Sequence, residues 1–504
     1  MTSRYYDVVV VGTELGPLAA GALLAHRGFR VLVAGQGSPT DGYDCWGYRF
    51  CRRPFRLPAA DAPILRRIAA DLGMSPLVQQ ILETEEPVYQ VVTPEARIDV
   101  FDDPARTRAG LERELGGAAR DAEAAFAELG WLSGEIDKLL GGDLVLPPEA
   151  FFERRKVARA EVQYPFRSGR ELEPVEGPAT AARLRSFLLA PARLETAGAP
   201  AASLLARARQ MGGWLFGLRS VRGGRDGLRA LFQNRIVAQG GDAQPRQRVN
   251  GIAAAKGKVQ GVRSAGREDI TLCQVVLTDL SPRELAPLVP VNAWTRRFAA
   301  LVENAPAPVL GYAVNLGIDP RAVPTGLAAL ALLDLGPGLG ADLLRVERIP
   351  QTDPSRAALN VSCVVEPGRE DDILSGALRD AMLDRMRWLV PFLDSHLRVL
   401  HSPWDGFGPL DLTGQAAGEA PPVPRSEEIP TWRLWRPMAE GAFGVGIMPH
   451  RTGIRGLLLS GGQVVSGLAA EGELLAAWGA ARIAGRIDPG RERLVRSMRS
   501  KVEL

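Results

Sequence analysis

The stretch "VVVVGTELGPLAAG", Val8 to Gly21, constrains this chain more than any other. Four β-branched residues run straight into Gly12, as a strand buried on both faces does. A helical pattern follows to Arg27, and after a turn at Gly28 the segment Arg30–Ala34 reads as a second strand. Strand, tight glycine turn, helix and strand make a βαβ unit, which commits the chain to a parallel sheet covered by helices.

A dinucleotide fingerprint G-x-G-x-x-G starts at such a turn, and each position has a physical task. Gly12 supplies the first glycine. Glu14 stands where the second lets a pyrophosphate approach the backbone, adding both a side chain and a negative charge. Gly16 falls one residue late for a direct replacement, and Pro17 takes the third glycine's place, tolerable only in a first helical turn. At the end of the second strand, where an acid would hold ribose hydroxyls, stand Gly35 and then Gln36. The segment "SPTDGYDCWG" that follows has no G-G-R element to wrap a diphosphate.

The chain has 504 residues, too many for one compact core, so two or more domains are expected. Hydrophobic residues make up 46% and charged residues 24%, an ordinary globular balance, and the net charge of +3 argues against nucleic acid as a partner. Arginine carries nearly all the positive charge; with abundant Ala, Gly and Leu this composition suggests a bacterial, high-GC source. Cys45, Cys51, Cys273 and Cys363 form no C-x-x-C pair and read as reduced thiols. The histidines are scattered, and no metal motif appears. No signal peptide is expected, because a strand starts within a few residues of Met1, and no apolar run reaches transmembrane length. A cytoplasmic location is the resulting expectation.

Three separated blocks resemble one superfamily. They are "YDVVVVGTELGPLAAGALLAHRGFRVLV" with "GYRF" at 47–50; "GGRDGLRALFQNRIVAQGGDAQPRQRVNGIAAAKGKVQGVRSAGREDITLCQVVLTD" at 223–279; and "IRGLLLSGGQVVSGLAAEGELLAAWGAARIAG" at 454–485. The chain resembles FAD-dependent oxidoreductases of the phytoene desaturase and amine oxidase type, whose fold the Rab GDP-dissociation inhibitors share. The resemblance implies an α/β, two-domain flavoprotein-like fold with a discontinuous Rossmann-type domain and a mixed-sheet substrate or cap domain. The first would comprise 1–105, 218–300 and 441–490, the second 106–217 and 301–440, with a basic tail at 491–504. It also places a presumed, degenerate FAD site at Gly12, Glu14, Gly16, Gly35, Gln36, Val249, Gly461, Gly462 and Glu471. Glu471 and Glu473 lie in the first turn of the closing helix, where carboxylates suit the helix dipole but compete with a phosphate.

Candidate chemistry outside that site is sparse. His450, in "GVGIMPHRTG", is the one weak catalytic candidate, against a structural histidine as the plainer reading. "HSPWDGFG" at 401–408 reads as turn chemistry or a pocket wall. "CWGYRFCRRPFR" at 45–56 brings Trp46, Tyr48, Arg49, Arg52 and Arg53 together as a partner or ligand surface, or as a strand edge with solvated arginines. The basic tail allows peripheral membrane contact as a minority reading. Two functions follow. One is a non-redox binding or scaffolding protein for an apolar small molecule or a protein partner. The other is an FAD-dependent oxidoreductase or isomerase acting on an apolar isoprenoid or polyene, with no metal in either.

Overall fold

The computed structural model describes residues 5–164, 172–177, 182–199, 202–266, 269–336, 342–414, 418–422, 430–438 and 442–487. The tail at 491–504 and most of the proline-rich 418–430 connector lie outside these residues.

The N-terminal unit folds as its pattern predicts. Strand β1 (Val8–Val11) leads into helix α1 (Leu15–His26), and β2 (Val31–Ala34) returns beside β1 in parallel register, Val8 opposite Val31. Three more strands complete a parallel sheet of five. Their order is Leu457–Leu459, Val275–Thr278, β1, β2 and Asp242–Gln244. The sheet is therefore assembled from the beginning, middle and end of the chain. Helix α1 buries every residue from Leu15 to Ala25, because it is packed between the helices Gly224–Ala238 and Ala469–Gly485 as well as on the sheet. A helix apolar on all sides is stable only when so enclosed.

A nine-stranded sheet forms the second layer. Its main path runs Leu410–Asp411, Leu397–His401, Val309–Ile318, Ala357–Val365, Leu343–Ile349, Leu330–Asp334, Tyr89–Val92 and Arg97–Val100, with Trp432–Leu434 paired to one end of Val309–Ile318. All pairings are antiparallel except Leu330–Asp334 with Tyr89–Val92. The last two strands on the path were expected within the Rossmann-type segment 1–105. They belong to this other sheet, because Gln90, Val91 and Val92 pair with Ala331, Leu332 and Leu333.

Strand parity sets what each face of this sheet meets. Leu330 and Leu332 join the large core shared with the parallel sheet, whereas Ala331 and Leu333 join a separate core under the helix Ala377–Leu389. Leu344 and Val346 also face that second core, so Arg345 and Glu347 are turned to the other side.

Candidate functional site

The carboxyl ends of the parallel strands converge on one spot, where open α/β sheets take their ligands. Gly12 follows β1, Asp279 follows Val275–Thr278, and Ser460 and Gly461 follow Leu457–Leu459. Gly12 has φ +99°, and a Cβ there would lie 2.9 Å from Asp279 Oδ1, so both conformation and space demand glycine. Gly16 packs α1 onto the third strand end: its Cβ would meet the Ser460 carbonyl oxygen at 2.5 Å.

Glu14 occupies the N-cap position of α1 without capping it. Its carboxylate turns to three arginines. Arg53 Nη1 donates to Oε1 at 3.0 Å, Arg225 Nε donates to Oε2 at 3.2 Å, and Arg229 Nη2 also donates to Oε1. Each arginine holds a further acid. Arg53 and Arg229 reach Asp41, Arg229 also reaches Asp226, and Arg225 reaches Glu473 at 2.6 Å. Four carboxylates and three guanidiniums thus tie α1, the segment around 41–53 and two helix N-termini into a clasp. Burial pushes the Glu14 carboxyl upward, but the charges of Arg53, Arg229 and Arg225 outweigh it and hold the group well below its usual range.

The end of β2 is closed differently. A Cβ on Gly35 would lie 2.5 Å from the Pro245 carbonyl oxygen and 2.6 Å from its Cα. Gln36, at φ 60°, turns its carboxamide onto the Val249 backbone: Val249 N donates to Oε1 at 2.6 Å, and Nε2 donates to the Val249 carbonyl at 3.4 Å. Gly462 lies in the turn before the closing helix Ala469–Gly485. Glu471 is buried and is not among the cavity's lining residues; it accepts from Arg209 at 2.6 and 2.9 Å.

Beside the clasp lies a cavity of about 220 Å³, between the strand ends and the inner face of the nine-stranded sheet. Its apolar walls include Phe55, Leu194, Trp432 and Trp435, and its polar lining includes Glu195, Asp279, Arg345 and Ser466. Burial raises the Asp279 carboxyl, the Glu14 charge raises it further, and Arg433 offsets this only in part, leaving it at about 7. Burial likewise raises Glu195, which accepts from Trp214 Nε1 at 3.2 Å. The buried Ser466 hydroxyl makes no hydrogen bond among the described residues.

The remaining sequence candidates sit elsewhere. His450 is fully buried, its Nδ1 and Nε2 each 3.0 Å from a carbonyl oxygen, of Leu459 and Leu146, and it is not among the cavity's lining residues. Of the 45–56 cluster, Arg53 alone enters the clasp. Tyr48 stacks on Phe50, Arg52 lies over the Tyr43 ring, Arg49 pairs with Asp44 at the surface, and the Trp46 carbonyl accepts from Arg356. The 401–408 loop braces this hairpin: Tyr43 hydroxyl meets His401 Nδ1 at 2.7 Å, and Trp404 Nε1 donates to the Arg52 carbonyl at 3.0 Å. Burial, then the Arg52 charge, lowers His401 to about 4. Arg225, Arg229, Asp279 and Glu195 escaped the sequence reading. The first two had a signal, two arginines one helical turn apart directly after a glycine pair.

Among the described residues no group of His, Cys, Asp and Glu is arranged to hold a metal, and no helix is long and apolar enough to cross a membrane. No protein-family profile and no curated protein sequence matches the chain. Solved structures do. An oxidoreductase from Methanosarcina mazei is 15% identical, with 92% of this chain and 99% of that one aligned at a TM-score of 0.54. Cyclohexylamine oxidase from Brevibacterium oxydans is 14% identical, with 96% and 100% covered at 0.53. A putrescine oxidase solved with putrescine is 13% identical, with 96% and 100% covered at 0.55. The chain therefore has the two-domain α/β fold of the flavoprotein oxidases over 92–96% of its length.

Proposed function

We propose that this protein is a non-redox binding protein built on the flavoprotein oxidase fold, whose cavity receives a small ligand with an apolar body. The observation that carries this reading is Glu14. A flavin dinucleotide on this fold would bring its diphosphate to the N-terminus of α1. There Glu14 puts a carboxylate into the grip of Arg53, Arg225 and Arg229. The residues present do not fit FAD: its phosphates would meet a fixed negative charge, and its ribose would find the Pro245 backbone against Gly35 in place of an acid. The cavity beyond pairs an apolar wall of Phe55, Leu194, Trp432 and Trp435 with a strongly charged one that includes Glu195, Asp279, Arg345 and Arg433, so the ligand's apolar body would lie against the aromatic side.

The test is direct. The purified protein is expected to be colourless, and added FAD is expected to leave its melting temperature unchanged. A yellow protein carrying stoichiometric flavin overturns the reading.

A further inference from the structure

We infer that the chain carries its own stand-ins for a dinucleotide: the Glu14 carboxylate in the place of a phosphate and the Gln36 carboxamide in the place of a base edge. The inference rests on the non-redox reading above and extends it from a lost site to a site filled from within.

The phosphate half follows from charge. Three guanidiniums from two separate segments converge on one point, and converging arginines are the usual means of gripping a phosphate. What they grip is Glu14, held by side chains at 3.0 and 3.2 Å and a third close contact. Arg53, Arg225 and Arg229 are each largely buried, at 21%, 15% and 7% side-chain exposure. Asp41, Asp226 and Glu473 hold the three arginines from the sides, and at the point where all three converge the N-cap residue of α1 supplies the shared anion instead of capping its own helix.

The base half follows from hydrogen-bond pattern. A carboxamide presents an acceptor and a donor side by side, as the edge of adenine does. Val249 offers the complement, a backbone N–H and C=O, and Gln36 takes both. Gln36 does so from the left-handed region, which is uncommon for a residue with a side chain. Between the halves, the Pro245 backbone is pressed against Gly35, so the chain itself takes the place of the acidic side chain that would hold a ribose.

Removing each stand-in should therefore uncover a matching site. Inorganic pyrophosphate and adenosine probe the two halves separately by isothermal titration. In wild type neither probe is expected to bind. E14A, which removes the carboxylate and opens space before the three arginines, is expected to bind pyrophosphate at least tenfold more tightly than wild type. Q36A, which frees the Val249 peptide groups and leaves the clasp whole, is expected to gain adenosine binding by at least tenfold and to gain nothing for pyrophosphate. Should E14A fail to fold, Q36A carries the test alone. Wild type that already binds either probe overturns the inference, as do folded variants that gain neither. Flavin co-purifying with wild type overturns the non-redox reading, whereas a colourless wild type whose variants gain nothing overturns only the self-filled site.

Discussion

Glu14 and Asp279 are two acids at the same strand ends with opposite titration. Glu14 is held ionised by its arginines, so its folded-state pKa lies below the unfolded value. The stability it provides is present above the ordinary glutamate range and is lost as pH falls through the folded pKa. Replacing it by Gln leaves Arg53, Arg225 and Arg229 short of one shared partner, and at neutral pH this is expected to cost about 2–3 kcal/mol in urea unfolding. A neutral result would show that the three arginines are satisfied without it. Asp279 is the reverse case. Its carboxyl sits at about 7, above the unfolded value, so the protonated form favours the folded state and stability is lost as pH rises through 7. Asp279→Asn keeps the shape without the charge. It is expected to stabilise the protein by roughly 2–4 kcal/mol at pH 8, with the difference shrinking towards zero only at about pH 4, in the ordinary aspartate range, since one pKa unit is worth about 1.4 kcal/mol. Equal effects at both pH values would place the Asp279 pKa outside that window.

At the scale of elements, the parallel strands, α1 and the closing helix were legible because each is a local pattern: a β-branched run or a long apolar helix bounded by glycine turns. Side-chain partnerships were not. Nothing local says that Glu14 meets Arg225 and Arg229, more than 200 positions away, or that Tyr89–Val100 leaves its neighbours in sequence to join the nine-stranded sheet. Gly35 shows the same limit. In the sequence it is a missing acid; in the fold it is a residue for which no larger side chain has room. Gly35→Ala brings a methyl group onto the Pro245 backbone, which cannot swing aside as a flexible side chain does. It is expected to destabilise the protein by about 1–3 kcal/mol, the usual cost of overpacking. An unchanged melting temperature would mean that the Gln244–Val249 turn stands off β2 and leaves the ribose position open.

The molecule sets a parallel sheet against a largely antiparallel one across a cavity, and the clasp and that cavity are neighbouring but separable parts of the junction. Glu14, Arg53, Arg225 and Glu473 border both, while Trp432, Trp435 and Gly462 belong to the cavity side. This separation makes the binding role testable without disturbing the ion network. Gly462 is not at a positive φ, and a Cβ there meets only Trp435 Cδ1, at an ordinary 3.6 Å. Gly462→Leu can therefore put an isobutyl group towards the cavity without backbone strain. In wild type, a two-ring aromatic hydrocarbon is expected to quench tryptophan fluorescence on saturable binding, since Trp432 and Trp435 form the wall. In Gly462→Leu the affinity should fall at least tenfold, with the melting temperature nearly unchanged because the clasp and both cores are untouched. The contrast between variants decides the matter. A ligand cavity independent of the cofactor position predicts that Gly462→Leu blocks the hydrocarbon while Q36A does not. If both variants bind it as wild type does, the hydrocarbon has gone elsewhere, and the cavity at the sheet junction is not the binding site.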